Sequence, residues 1–269
     1  MERTSENKEK SSSDQSLSRS LALLKKMALT CEALSVTEIM EELRVSKPTA
    51  YSIVNALTTQ GFLEKDIDSG KYRIGYLFYA LGQNYPRLYP FLNFMEDIVL
   101  EEHKRLGLRI NLCIFKPPLT ALVIASKDES MLPRHSGGFM LPAHLSASGK
   151  VLLAALPQQT AEEYIGQAQL YPLTEKTITD TKALMEHVEI VRRQGYATDE
   201  EEFVPGSACV AAPVYDASGK VICSVSISKC PIDRFRAERD SLILAAQNLA
   251  MRLSFELGLP RELGHTYFR

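Results

Sequence analysis

The sequence predicts an α+β chain in two parts: a small helical domain closed by a β-hairpin, and a larger domain of antiparallel strands with helices between them. Three observations carry that reading. Two helix starts, Ser35-Val36-Thr37-Glu38 and Ser46-Lys47-Pro48, follow each other closely. Two runs of β-type residues then flank Asp66-Ile67-Asp68-Ser69-Gly70, and farther on two strand pairs bracket a series of helical segments. A length of 269 residues suits two domains, and a composition of 45% hydrophobic and 24% charged residues excludes a disordered or collagenous chain. No apolar run approaches the ~20 residues of a membrane helix. Met1 to Gln15 is charged and Ser-rich without the apolar stretch of a secretory signal, so the protein is expected to be cytoplasmic.

Residues 1–15 lack apolar periodicity and are expected to form a disordered tail. Leu17, Leu21, Leu24 and Ala28 recur at helical spacing and give a first helix from about Ser18 to Leu29. Ser35 and Glu38 form a capping box opening a short second helix that ends near Arg44. Ser46 is an N-cap for a third, with Pro48 in the first turn, where a missing amide hydrogen costs little. Its apolar positions Ala50, Ile53, Val54 and Leu57 leave Lys47, Thr49, Tyr51, Ser52 and Asn55 off the buried stripe. Phe62–Lys65 and Lys71–Ile74 complete a hairpin, so residues 16–75 carry the element order of a winged helix-turn-helix. The chemistry of the third helix agrees with DNA: Asn can bond adenine bidentately, Lys reaches guanine or phosphate, and Thr meets the thymine methyl. Lys65, Lys71 and Arg73 would supply phosphate contacts from the hairpin.

Residues 76–90 read as a linker: a short aromatic helix from Tyr76 to Leu81, bounded by Gly75 and Gly82 and followed by Tyr85-Pro86 and Tyr89-Pro90. Such a surface is expected to pack against a second chain, or back onto its own domain. The second domain, residues 91–269, opens with a helix from Phe91 to Leu106. Strands follow at Arg109–Phe115 and Thr120–Ser126, and later at Ala208–Tyr215 and Lys220–Ser228. Helices near Ser148–Leu156, Thr160–Gln167 and Thr181–Gln194 lie between the pairs, the last with Gly195 at its end. A long helix from Ile232 to Leu257 closes the domain.

Net charge is −2, but residues 1–90 carry 12 basic against 11 acidic side chains and the rest 19 against 22, a weak bias towards DNA in the first part. Five scattered cysteines show no zinc spacing, and no metal or cofactor is expected. His144 to Lys150 ends in Gly-Lys but lacks the rest of a phosphate loop. It remains either a plain helix cap or a polar loop able to hold an anion. Asp199 to Glu202 are four consecutive acids, ordinarily a solvated loop. Ser224, Ser226 and Ser228 share one strand face, unremarkable in water and awkward facing inward unless a ligand sits there.

Taken together, Ser16–Leu21, Val45–Thr49, Gly70–Gly75, His144–Lys150, Gly195–Glu201, Cys209–Val214 and Ser226–Ser228 resemble the IclR family of bacterial transcription regulators over about Gln15 to Leu257. The resemblance implies a winged-helix domain, a linker helix and a GAF-like effector-binding domain, assembled as a homodimer or tetramer on double-stranded operator DNA and controlled by a small-molecule effector; a pocket holding Ser hydroxyls, a thiol and one carboxylate suits a small organic acid, with aromatic acids and sugar acids equally open. It implies DNA contacts from Arg19, Ser46, Lys47, Thr49, Tyr51, Ser52, Asn55, Lys65, Lys71 and Arg73, and an effector pocket at Leu141, Ala147, Ser148, Asp199, Cys209, Ser226 and Ser228. Many relatives carry Arg where this chain has Ser52, so their operator preference does not transfer. A GAF-domain thiol enzyme using Cys113, Cys209, Cys223 or Cys230, and a non-DNA protein-interaction module, are the competing classes.

Overall fold

The computed structural model describes residues 3–84, 89–116, 120–125 and 139–267, and the chain divides into two units, 1–90 and 91–269. The expected linker break at Tyr85-Pro86, most of the turn after Lys116 and the last residue of the Thr120–Ser126 strand lie outside the described residues.

In the first unit α1 spans Arg3–Thr30, α2 Val36–Leu43 and α3 Lys47–Thr59; β1 (Leu63–Lys65) and β2 (Tyr72–Ile74) pair antiparallel, and α4 covers Leu77–Asn84. Helix α1 starts at Arg3 rather than Ser18 and so runs through the stretch read as a disordered tail. No Gly or Pro interrupts residues 3–30, and extending a nucleated helix adds one hydrogen bond per residue ordered. Its buried stripe also differs: Leu23, Leu24 and Met27 enter the core, while Leu17 and Leu21 stay exposed, because only the last turns of α1 reach α2, α3 and the hairpin.

The capping box at Ser35 forms as expected. The Ser35 amide donates to Glu38 Oε2 at 2.6 Å and the Glu38 amide to Ser35 Oγ at 3.2 Å. Arg44, left-handed at φ 50°, ends α2 and leaves a turn of three residues before α3. Ser46 has the extended backbone of an N-cap, but its hydroxyl bonds the Thr49 hydroxyl at 2.8 Å instead of an amide. Ala50, Ile53 and Val54 are then buried, the last two packing with Ile39, Leu43, Leu63 and Tyr72. In the hairpin turn Asp66 Oδ1 accepts from the Ser69 amide and hydroxyl, both at 2.8 Å. A Cβ on Gly75 would overlap the Gly61 carbonyl, so only glycine lets the strand leave the wing here. Helix α4 passes through Gly82. Phe78 packs edge-on against Phe62 with ring centroids 5.7 Å apart, so the residue expected to meet a second chain covers its own domain, and Tyr76, Tyr79 and Leu81 are the exposed apolar side chains.

In the second unit α5 (Phe91–Leu106) leads into a six-stranded antiparallel sheet of β3 (Arg109–Lys116), β4 (Thr120–Ala125), β5 (Phe139–Pro142), β6 (Ala197–Glu200), β7 (Ala208–Tyr215) and β8 (Val221–Lys229), ordered β5-β4-β3-β8-β7-β6. The edge strands β5 and β6 were not apparent in the sequence: each has only four residues, one ending in Pro and the other acidic, compositions that edge strands tolerate. Helices α6 (Ala147–Ala154), α7 (Gln158–Gln167) and α8 (Thr181–Gln194) lie between β5 and β6 in sequence, and α6 packs across β3, β8, β7 and β6. A Cβ on Gly149 would overlap the Ala143 carbonyl, so glycine lets α6 close onto the preceding 3₁₀ turn. Gly195, at φ 75°, ends α8 as expected. The single helix expected from Ile232 to Leu257 is two, α9 (Ile232–Ala237) and α10 (Arg239–Glu256), broken at Glu238, whose carbonyl accepts from the Ser241 hydroxyl and whose carboxylate pairs with Lys229. The chain ends in a short helix, α11 (Gly264–Tyr267).

Candidate functional site

Helix α3 exposes one polar face and buries the other. Ser46, Lys47, Tyr51, Ser52 and Asn55 are exposed and Thr49 is half-buried, while the opposite side of the helix lies in the core. The predicted wing cations belong to the same unit: Lys65 lies 5.8 Å from the Tyr72 ring centroid, Lys71 pairs with Glu38 at 3.2 Å, and Arg73 pairs with Glu64 and Asp66 at 3.7 and 3.8 Å. These exposed pairs are weakly held. Arg19 is half-buried on α1.

The second candidate site is built by strand register. Cross-strand partners share a face, so Asp199 opposite Cys209 and Cys209 opposite Ser228 form one polar row, while Ala197, Ala211 and Ser226 form the next. This is the face under α6: Ala147 packs with Ala211, Cys209 lies against that cluster, and the Ser224 hydroxyl donates to the Ser148 carbonyl at 3.3 Å. The serine stripe therefore faces inward, Ser224 and Ser226 being buried and Ser228 half-buried. Six of the seven predicted effector residues come together here. Leu141 lies to one side, packed with Cys113, Leu145 and Leu152.

Of the four acids read as a solvated loop, two are buried, Asp199 at 6% and Glu202 at 8% exposure. Asp199 Oδ1 accepts from the Glu202 amide at 2.8 Å and Oδ2 faces the Cys209 thiol at 3.9 Å. Burial pushes the Asp199 carboxyl up to about 6, with Lys150 opposing the rise. Lys150 is fully enclosed by α6 and its neighbours, and its Nζ donates to Glu202 Oε1 at 2.6 Å. Burial and the Lys150 charge push His187 down to about 4. The hydroxyls of Thr174 and Thr177 donate to the Glu201 and Glu202 carbonyls at 2.7 and 2.6 Å, and Lys176 pairs with Glu201, so this loop is pinned on several sides.

Sequence reasoning passed over Lys150, Glu202 and Asn111. A signal existed for the first: Lys150 is the only charged residue in Ala147–Ala154, a helix short enough and apolar enough to be buried all round, so its charge requires a partner. The thiol-enzyme reading loses three of its four candidate nucleophiles, and the fourth, Cys230, is an exposed thiol outside the inward polar row. Burial pushes Cys113 up to about 11 and holds Cys209 and Cys223 well above the ordinary thiol range, so these thiols stay protonated at neutral pH. Among the described residues no three His, Cys, Asp or Glu side chains gather as a metal site, and no helix is long and apolar enough to cross a membrane.

Comparison with known proteins gives one answer for both units. Residues 16–66 match the family described as IclR helix-turn-helix domain, and residues 94–255 match Bacterial transcriptional regulator IclR C-terminal. The HTH-type transcriptional regulator KdgR of Escherichia coli (strain K12) is 30% identical over 229 residues, covering 84% of this chain and 86% of that protein. The crystal structure of the Thermotoga maritima IclR superposes with a TM-score of 0.69 at 27% identity, covering 90% of this chain and 98% of that one. An IclR homologue from Microbacterium hydrocarbonoxydans, solved with 4-hydroxybenzoate, has a TM-score of 0.71 at 22% identity and the same coverage.

Proposed function

Because the chain belongs to the IclR family of bacterial transcription regulators, we propose that it binds a pseudo-palindromic operator as a homodimer or tetramer and that a small organic acid held in the second unit modulates that binding. The protein is a transcription regulator with a helix-turn-helix domain and an effector-binding domain, not an enzyme. The observation that carries the DNA reading is the outward polar face of α3 on a turn of three residues. One recognition helix reads too few base pairs for useful specificity, so two copies are needed. In this reading Asn55, Ser52, Tyr51, Thr49 and Lys47 meet base edges and nearby phosphates, while Ser46, Arg19, Lys65, Lys71 and Arg73 contact the backbone, and the exposed Tyr76, with Tyr79 and Leu81 of α4, faces the partner copy.

The effector reading rests on the inward polar row. The α6 amides at Ala147 and Ser148, the hydroxyls of Ser226 and Ser228, and the Asp199 and Cys209 side chains surround one region of the sheet face, with Leu141 as an apolar wall. The complex of the Microbacterium homologue with 4-hydroxybenzoate makes organic acids the class to test first. The protein acts in the cytoplasm and needs no cofactor. Fluorescence anisotropy with a duplex from the gene's own upstream region tests the proposal: specific binding falls steeply with salt and exceeds binding to a scrambled duplex. Equal binding to both duplexes overturns it.

A further inference from the structure

The sheet face under α6 has a second end. Side chains alternate along β7, so Cys209 and Tyr215 point to the same side of the sheet, and the strand runs on for about 20 Å from the inward polar row. At that far end β8 departs from regular pairing. Val214 pairs with Cys223 but Tyr215 pairs with Val221, so Ile222 is passed over in a bulge. In an unbroken register Val221 would point to the opposite face; the extra residue turns it to the side of Tyr215.

A cavity of about 190 Å³ lies there, between the last turn of α6, the last turn of α8 and the β7–β8 pair. Its walls include Ala154 and Ala155 of α6, Val191 and Arg192 of α8, and Tyr215 and Val221 of the sheet, and none of the seven predicted effector residues lines it. Val191 is buried and Ala155 exposed, which gives the cavity a closed floor and an open mouth. Arg192 is the one charged side chain among the described residues of the lining. Its Nε donates to the Ala154 carbonyl at 2.9 Å and its Nη2 to the Leu156 carbonyl at 3.1 Å, which satisfies the end of α6, while Nη1 pairs with Glu189. A ligand carboxylate would have to compete with Glu189 and these carbonyls. A guanidinium whose edge is engaged in this way offers a ligand its flat face, and that face attracts the π face of a ring. Size sets the rest: an apolar protein cavity of about 150 Å³ holds benzene, whereas drug-sized ligands take about 300 Å³ or more.

We propose that this cavity is a second ligand site of the effector-binding unit and that it takes a neutral single-ring aromatic molecule of the size of a phenol. Helix α6 borders both sites, its first turn at the polar row and its last turn at the cavity, over a length of eight residues, about 12 Å. The site stands independently of the effector reading, and either can fail without the other.

NMR titration of the full chain, labelled at its valine methyls, with phenol, cyclohexanol and 2-naphthol tests it. Phenol shifts the methyls of Val191 and Val221 and binds roughly threefold to tenfold more tightly than cyclohexanol, which has a similar size but no π face. In the wild type 2-naphthol is one ring too large and leaves those methyls in place. Val221→Ala widens the cavity, so that 2-naphthol now shifts Val191. Ala155→Leu fills the mouth and weakens phenol binding by roughly tenfold or more, and thermal unfolding shows that both variants remain folded. Ser226→Ala, in the polar row, leaves phenol affinity unchanged. The inference is overturned if phenol leaves Val191 and Val221 unmoved, if cyclohexanol binds as tightly, if Val221→Ala and the wild type treat 2-naphthol alike, if Ala155→Leu binds phenol as the wild type does, or if Ser226→Ala weakens it.

Discussion

In the first unit the ion pairs Lys71–Glu38, Arg73–Glu64 and Lys26–Glu42 sit at the surface, with every partner substantially exposed. In the second, Lys150 has no exposed side-chain surface and Glu202 almost none. Identical residue chemistry serves different ends in the two places. Charges on the wing keep their hydration and contribute little to stability, and in the proposed reading they pass to DNA phosphates. The enclosed pair ties α6 to the loop after β6, two elements that border the inward polar row. In the proposed reading, the surface that meets DNA keeps its charges loose, whereas the one that meets the effector fixes them inside.

The strongest challenge to that contrast is to break one pair of each kind. Lys150→Met leaves the Glu202 carboxylate buried without its cation and is expected to destabilise the second unit by about 3 to 5 kcal/mol, with much of the loss recovered in Lys150→Met/Glu202→Gln. Lys71→Met is expected to change stability by less than about 1 kcal/mol. Denaturant unfolding of the full chain measures both. Similar losses from the two variants would remove the distinction between the units.

Legibility follows the same line. The capping box and the hairpin were readable from local cap and turn chemistry, and the outward face of α3 because helical periodicity says which side faces water. The face under α6 was half readable: period two aligned Ser224, Ser226 and Ser228, but only strand pairing reveals that Asp199, Cys209 and Arg109 join the row of Ser228, and pairing is set by residues far apart in sequence. Acidity misled twice over: Asp199 on an edge strand and Glu202 at a buried Lys both look like solvent-facing residues until their partners are known.

Asp199 sharpens the contrast through pH. A carboxyl that holds its proton more tightly folded than unfolded contributes stability that is complete below its unfolded value of 3.8 and is lost as pH rises through about 6. His187, lowered to about 4, works in the opposite sense: its contribution is present above 6.5 and is lost as pH falls through about 4. Asp199→Asn removes the first effect and spares the second, so the variant gains about 2 to 3 kcal/mol on wild type between pH 4 and pH 7. Glu38 in the first unit, held down to about 2 mainly by its bond from the Ser35 amide, belongs to the other sign: its contribution is lost only as pH falls from 4.5 through about 2. Stability of Asp199→Asn that tracks wild type across this range would mean that the carboxyl is ionised in the folded protein. Effector binding gives a second readout. Asp199→Ala is expected to weaken it by roughly tenfold to a hundredfold without altering operator affinity in the absence of effector.

On the DNA side the expected effects divide by what a side chain touches. Asn55→Ala is expected to cost about 1 to 3 kcal/mol on the operator and to relax base preference at one position of each half-site. Lys71→Ala is expected to weaken operator and scrambled duplex alike and to reduce the salt slope by about one. Anisotropy titrations on matched duplexes separate the two, and a base preference that survives Asn55→Ala removes this residue from the reading face.

The smallest expected effect comes from the two serines that open α2 and α3. Ser35 accepts from the Glu38 amide and its own amide donates to the Glu38 carboxylate, so Ser35→Ala strips the helix of its cap and is expected to cost about 1 kcal/mol of stability. Ser46 stands at the equivalent position of α3, yet its hydroxyl turns to Thr49 and leaves the first amides of the helix without a side-chain cap. Removing it takes away no amide partner, so Ser46→Ala is expected to change stability by only a few tenths of a kcal/mol. In the proposed reading a backbone phosphate approaches those uncapped amides, with the hydroxyl pair beside them. Ser46→Ala is therefore expected to lower operator affinity by more than it lowers stability, and Ser35→Ala to do the reverse. Thermal unfolding and anisotropy on the same two variants decide between a cap and a contact: a Ser46→Ala protein that is measurably less stable but binds operator normally would make this serine a structural residue and move the phosphate contact elsewhere on the helix.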